Sequence, residues 1–380
     1  MHLILSIWKF EFVSDFDIRN SDLSVKIGMI NLDKNIVSVL DANFGRLEEG
    51  LRVLEDTCRF VLKDLRMTRE FKKMRHFLTE ASCGLKLQLL NSRGKDIGAS
   101  LILANEGTRQ GIDEIVIANA KRAEESLRVL EEYFKFLKIK KWRKLQEKRF
   151  LLYSLEKEIV SKIVRKEKIK RLFPLCLILD AKYLKKEKPI EKLKEAISGG
   201  IKAVQYRDKI NDKRRVLKNA ISFRRLCQKT GVLFLVNDYL DIALAVDSDG
   251  VHLGDKDLPI GTARKMLPFD KIIGRTVHSL KEAEKAQADG ADYLSLGALF
   301  PTRTKKDASL IEPLMIKKIK EKIDLPIMAI GGINKNNVKK AAGWSADGVA
   351  ISEAIMAKDN CRTAAKEILS EIKKLTFASW

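Results

Sequence analysis

Eight short β-branched runs recur between residues 172 and 380, each followed by a loop or an amphipathic helical stretch. They are LCLILD (175–180), KAVQYR (202–207), LFLVN (233–237), GVHLG (250–254), IIGRTV (272–277), YLSLG (293–297), PIMAIGG (326–332) and GVAIS (348–352). Strand-length runs alternating with helical segments make parallel βαβ units. Eight such units in about 200 residues is the count that closes a (β/α)₈ barrel. The expected fold class is therefore α/β, a C-terminal TIM barrel preceded by an all-α region. Ligands of such barrels sit at the carboxyl ends of the strands, so the polar residues that end each run are the candidates for chemistry.

Asp238 closes LFLVN behind Asn237, and Asp257 follows GVHLG. Asp after a strand is also ordinary turn chemistry. Two carboxylates at one rim, however, can hold a hard cation such as Mg²⁺, which shares its oxygen ligands with substrate phosphates. Basic residues end other runs. Gln205 and Arg207 are two apart and share a strand face, and Lys209 follows. Arginine suits bidentate contact with phosphate, while lysine acts as a point charge. Arg207 has an alternative in a surface salt bridge with Asp208. Thr302, Thr304 and Lys305 lie in FPTRTKKD, where hydroxyls, amides and a charge make an oxyanion cradle. Thr276 ends the fifth run. His278, two residues on, is either a base or part of a helix cap. Gly332, Ile351 and Ser352 follow the last two runs, where barrels often bind a monophosphate on loop amides. Two phosphate sites, one with a metal, imply two phosphorylated substrates or one substrate phosphorylated at both ends.

The first half has a different period. Residues 36–170 carry apolar residues at helical spacing and contain no proline. Residues 91–111, NSRGKDIGASLILANEGTRQG, read as a loop with a short element inside. ANFGRLEEGLRVLED (42–56) recurs as ANAKRAEESLRVLEE (118–132). In the first copy Leu47, Leu51 and Leu54 project to one side. Glu48, Arg52, Glu55 and Arg59 project opposite, with Glu48–Arg52 and Glu55–Arg59 at the favourable i,i+4 spacing. Asn43, Arg46, Asn119 and Arg122 fall on or beside the apolar side, where polar groups must be paired. Either the duplicated helices satisfy each other across a pseudo-twofold, or these residues form an anion- or substrate-binding surface there. Residues 138–170 continue as a long charged helix, and Pro174 marks the boundary. The expected division is an extension over 1–35, a helical domain over 36–171 and a barrel domain over 172–380 able to fold alone.

Composition bounds the partners. A chain of 380 residues suits two domains. Much of the net charge of +22 sits in helical stretches such as KIKKWRKLQEKR, without aromatic–basic interleaving. That describes a solvated surface that attracts anionic substrates, not a nucleic-acid site. The five cysteines form no CxxC and no Cys/His cluster, so neither zinc nor a disulfide framework is expected, and the compartment is expected to be the cytoplasm. No run approaches eighteen apolar residues, so no membrane span is expected. The apolar start, broken by Lys9 and Glu11, is a poor signal peptide. Met29 opens a cleaner sequence, and residues 1–28 are expected to lie outside the folded unit, as from an upstream start codon.

QYRDK, VNDYLDIALAVDSDGVHLGDKDLP, GRTVHS, GALFPTRTKKD, PIMAIGGI and ADGVAIS resemble, in order, the motifs of thiamine-phosphate synthase, across roughly 175–357. That family joins hydroxymethylpyrimidine diphosphate to hydroxyethylthiazole phosphate and releases pyrophosphate, by a dissociative route. The resemblance implies that Gln205, Arg207, Lys209 and Asn237 contact the pyrimidine diphosphate. Asp238 and Asp257 would ligate Mg²⁺. Thr276 and Lys305 would hold the departing pyrophosphate. Thr302, Thr304, Gly332, Ile351 and Ser352 would bind the thiazole phosphate side. Three departures stand out. Thr276 replaces the usual Ser. Tyr206 and Asp208 replace Leu and Glu. Glu353 follows Ser352 and puts negative charge near the monophosphate. The related thiazole tautomerase shares the barrel and GRxVHS. It needs an acid/base histidine and no metal–diphosphate site, so Asp238, Asp257, Lys209 and TRTK favour the synthase. In the first half, DANFGRLEEGLRVLED resembles a helical domain fused ahead of some of these synthases and proposed as an alternative hydroxymethylpyrimidine-phosphate kinase. The chain has no GxxxxGK[ST] and no Gly-rich dinucleotide turn. Three roles stay open for that half. It could be a kinase using ATP, a module binding the pyrimidine monophosphate, or a dimerisation bundle making the protein a homodimer.

Overall fold

A computed structural model describes residues 33–82, 108–184, 189–302 and 310–374. Nearly all of the expected 1–35 extension, most of the 91–111 loop, Thr304 and Lys305 lie outside the described residues.

Among the described residues four α-helices come first: α1 (Lys34–Asp56), α2 (Leu65–Ser82), α3 (Ile112–Phe136) and α4 (Trp142–Leu172). Asp33 caps α1 by accepting a hydrogen bond from the Asn35 N–H at 2.8 Å. Leu40, Leu47, Leu51 and Leu54 form its buried stripe. Gly50 faces α3. A Cβ there would lie 2.9 Å from the Asn119 carbonyl oxygen and 3.3 Å from the Ala123 Cβ. The two repeat helices therefore cross at a point that admits no side chain.

The repeat extends to ion pairing. Glu55 is buried and accepts from Arg75 of α2 at 2.6 Å. Its counterpart Glu131 accepts from Arg149 of α4 at 3.0 Å and from Lys135 at 2.6 Å. Each copy uses the same glutamate to hold the next helix. This corrects the expectation that Glu55 lies on the outer side with Arg59; Arg59 is exposed. The expected satisfaction across a pseudo-twofold is also corrected. The amide groups of Asn43 and Asn119 each donate to their own helix, to the carbonyls of Val39 and Ile115, both at 2.8 Å. Arg46 and Arg122, read as on or beside the apolar side, are exposed.

The second half is a closed barrel of eight parallel strands in sequence order. They are β1 (Leu175–Asp180), β2 (Ala203–Arg207), β3 (Leu233–Asn237), β4 (Gly250–Leu253), β5 (Ile272–Val277), β6 (Tyr293–Leu296), β7 (Ile327–Ile330) and β8 (Gly348–Ile351). All eight expected runs are strands. Several stop a residue or two early because Gly254, Gly297, Gly331, Gly332 and Ser352 already belong to the loops at the open end.

The two halves are joined through α4. Its Leu145, Leu152, Leu155 and Ile159 belong to the helical core. Its last turn instead places Ile169 and Leu172 among Cys176, Ile178, Leu233, Leu235, Ile272 and Tyr293 inside the barrel. Arg165 donates to Asp292 at 2.8 Å, Lys168 to Asp270 at 2.6 Å and Arg171 to the Gly231 carbonyl at 2.8 Å. Asp292, Asp270 and Gly231 sit just before β6, β5 and β3, so the end of α4 closes the amino-terminal floor of the barrel. The carboxyl-terminal mouth is left open. Among the described residues no helix is long and apolar enough to cross a membrane.

Candidate active site

A cavity of about 1290 Å³ opens at the mouth of the barrel. Gln205, Arg207, Lys209, Asn237, Asp238, Asp257, Thr276, Thr302, Gly332, Ile351 and Ser352 all line it. These residues come from strand ends spread over 148 positions of sequence, and only closure of the barrel brings them to one rim. Thr304 and Lys305 lie outside the described residues.

The acidic side is built by β3 and β4. Asp238 has a left-handed backbone, φ 65°, which Asp tolerates better than most residues. Its N–H donates to the His252 carbonyl at 2.8 Å, and this turns the side chain back over the mouth. Lys209 forms an ion pair with Asp238 Oδ2. That buried oxygen has a counter-charge but, among the described residues, no hydrogen-bond donor. Asp257 Oδ2 accepts from the Gly254 N–H at 2.7 Å. Burial, and then the adjoining Asp238 carboxylate, push the Asp257 pKa up to about 6. Two crowded carboxylates, one with an oxygen that accepts no hydrogen bond among the described residues, fit a small divalent cation with oxygen preference.

The basic side is built by β2. Gln205 Nε2 donates to Asn237 Oδ1 at 2.7 Å, which fixes both amides on the inner wall. Arg207 donates to Asp180 Oδ2 at 2.6 Å. The alternative pairing with Asp208 is corrected. Asp208 is buried and accepts from the Tyr206 hydroxyl at 2.6 Å and from the N–H groups of Ile210 and Asn211 at 3.2 and 3.1 Å. Asp180 ends its run just as Asp238 and Asp257 end or follow theirs, so the signal that finds it is present in LCLILD.

The far wall holds β5 to β8. Gly332 has φ 64°, and a Cβ there would lie 2.4 Å from the Pro301 carbonyl oxygen, so the β7 loop rests directly on the β6 loop. The Ser352 hydroxyl donates to the Ile178 carbonyl at 2.9 Å and is committed to the backbone. Glu353 lines the same part of the cavity. His278 lines the cavity with its imidazole Nδ1 3.4 Å from both Asp255 and Glu282, and its backbone takes part in a helix cap. Its N–H donates to Glu282 at 2.8 Å, and Ser279 accepts from the Glu282 N–H at 3.3 Å, a capping box for helix Leu280–Ala288. The more buried histidine, His252, has no signal beyond an inward position in GVHLG. Its Nδ1 lies 2.9 Å from the Tyr293 hydroxyl and its Nε2 lies 2.9 Å from Thr276 Oγ1. Burial lowers its pKa to about 4.

A family model for thiamine monophosphate synthase matches residues 175–355. A thiamine-phosphate synthase from Prochlorococcus marinus is 36% identical over 350 residues, 90% of this chain and 99% of its own length. One from Synechocystis sp. is 37% identical over 341 residues, 90% of this chain and 97% of its own. The chain belongs to the thiamine-phosphate synthase family. A solved relative, the thiamine phosphate pyrophosphorylase from Pyrococcus furiosus, is 38% identical and has a TM-score of 0.50. It covers 54% of this chain and 98% of that one, which is the extent of the barrel. The helical half matches the ThiD2 family over residues 38–158. Since the Prochlorococcus and Synechocystis synthases align with 90% of this chain, they share the helical half as well as the barrel.

Proposed function

We propose that the barrel joins hydroxymethylpyrimidine diphosphate to hydroxyethylthiazole phosphate, yielding thiamine phosphate and pyrophosphate. The observation that carries this reading is the Asp238–Asp257 pair facing Lys209 and Arg207 across one mouth. Asp238 and Asp257 are the groups that would hold Mg²⁺, which when bound neutralises charge on the diphosphate oxygens. Arg207 and Lys209 bind the same oxygens. Gln205 and Asn237 present fixed amide edges to the pyrimidine. The bond between the pyrimidine methylene carbon and the diphosphate oxygen breaks, and its electron pair leaves with pyrophosphate. The thiazole nitrogen then gives its lone pair to the methylene cation and forms the new C–N bond. Thr276, with Lys305, stabilises the charge that builds on the departing oxygen. Thr302, Thr304, Gly332, Ile351 and Ser352 hold the thiazole phosphate side, with Glu353 limiting how much negative charge that end accepts. No general base is needed. The test is an assay of the purified chain with both substrates, following thiamine phosphate and pyrophosphate together. Absence of product at saturating Mg²⁺ would overturn the reading.

The helical half is read as the supplier of the diphosphate. It would bind hydroxymethylpyrimidine phosphate and transfer the γ-phosphoryl group of ATP to it, giving ADP and the barrel's substrate. The match to the ThiD2 family over 38–158, on a chain whose barrel consumes that diphosphate, supports this. ATP-dependent thiamine phosphate formation from the monophosphate is the expected result. Formation from the diphosphate alone would remove the kinase reading.

A further inference from the structure

We propose that His252, clamped by Tyr293, is a positioning residue that sets the Thr276 hydroxyl as a hydrogen-bond donor toward the leaving diphosphate. This rests on the synthase reading of the barrel. The three residues come from three adjacent strands. His252 on β4 pairs in register with Gly274 on β5, and Gly274 pairs with Tyr293 on β6. The Tyr293 ring crosses β5 to reach the histidine, and Gly274 is what lets it pass. A Cβ at that position would lie 2.1 Å from Tyr293 Cζ and 2.4 Å from its hydroxyl oxygen.

Hydrogen counting then decides the direction of each bond. The imidazole is buried, with a hydroxyl at each nitrogen and, among the described residues, no carboxylate within hydrogen-bonding distance. It is therefore neutral, with one donor nitrogen and one acceptor nitrogen. The Tyr293 hydroxyl is buried, and among the described residues its hydrogen-bond partner is His252. Its proton goes to Nδ1, because otherwise a buried donor is left unsatisfied. Nε2 then carries the ring's hydrogen and gives it to Thr276 Oγ1. Thr276 cannot spend its own proton on the histidine, so its O–H points into the cavity that it lines. The opposite tautomer would turn oxygen lone pairs toward an anion. A donor aimed beforehand needs no reorganisation as charge develops on the leaving oxygen.

The test uses the full chain in four variants: Thr276→Ala, His252→Phe, the double variant, and His252→Gln. A glutamine amide accepts from Tyr293 and donates to Thr276, so it keeps both bonds. Removal of a direct donor to developing charge costs about 100-fold in kcat, and that is the expectation for Thr276→Ala. His252→Phe is expected to lower kcat about tenfold at unchanged KM, a part of that direct effect. The double variant is expected to be no slower than Thr276→Ala, and His252→Gln to recover most of the loss. Thermal melts run beside the kinetics identify a variant that fails to fold, and the glutamine variant then carries the comparison. Multiplicative losses in the double variant overturn the inference, as does a His252→Phe enzyme with wild-type kcat. So does a well-folded His252→Gln no better than His252→Phe. A wild-type chain that makes no thiamine phosphate overturns the synthase reading beneath it.

Discussion

Two fragments that differ only in the last turns of α4 test what closes the barrel floor. One begins at residue 160 and the other at residue 173, and both run to residue 380. The shorter fragment loses Ile169 and Leu172, which are 4% and 0% exposed. Burying each aliphatic side chain is worth about 1.5–3 kcal/mol, so the pair contributes about 3–6 kcal/mol. The bonds from Arg165, Lys168 and Arg171 to Asp292, Asp270 and Gly231 go with them. A domain's whole stability is roughly 5–15 kcal/mol, so this is a large share. For a unit of about 200 residues each kcal/mol shifts Tm by roughly 2–4 °C. The shorter fragment should therefore melt roughly 6–24 °C below the longer one, with lower soluble yield. Circular-dichroism melts at equal concentration measure the gap. Two fragments melting within a couple of degrees, with equal synthase activity, would show that α4 rests on the barrel without supporting it.

Asp238→Asn should lower synthase turnover by about two orders of magnitude or more and abolish Mg²⁺ binding seen by titration calorimetry with pyrophosphate present. Near-normal binding would move the metal elsewhere. Glu131→Gln should cost roughly 3 kcal/mol at neutral pH, because it leaves Arg149 beside a neutral group. Burial alone would raise the Glu131 pKa, but the bonds from Lys135 and Arg149 outweigh it and hold it below the usual value of 4.5. That stability is present above pH 4.5 and is lost as pH falls below it. The variant's melt should accordingly show a flatter acid limb than wild type, and equal acid limbs would refute the ion-pair account. Arg46→Ala, at an exposed position, should change stability by less than about 0.5 kcal/mol yet abolish any rise in Tm produced by hydroxymethylpyrimidine phosphate. A wild-type melt unmoved by saturating ligand would remove the binding surface.

Periodicity by itself determined the architecture. Eight β-branched runs in alternation with helices left a parallel barrel as the economical closure, and every run became a strand. The residue types at the run ends determined which side chains could meet at the mouth, since closure brings all carboxyl ends to one side. What the tertiary structure alone decided was which partner each polar group takes. Helical spacing offers Glu55 the arginines of its own helical run, Arg52 and Arg59, whereas Arg75 arrives from another helix. Adjacency offers Arg207 to Asp208, yet Arg207 takes Asp180 from the next strand and Asp208 turns to Tyr206. His252 is one apolar-flanked histidine in the sequence, and becomes a link between Tyr293 and Thr276 because three strands lie side by side in register. Ile169 and Leu172 precede the proline that marks the boundary, yet they pack beyond it. Secondary structure follows from local steric and hydrophobic periods, which the chain carries in order. Pairing follows from distance in space, and packing sets that distance between residues far apart in the sequence.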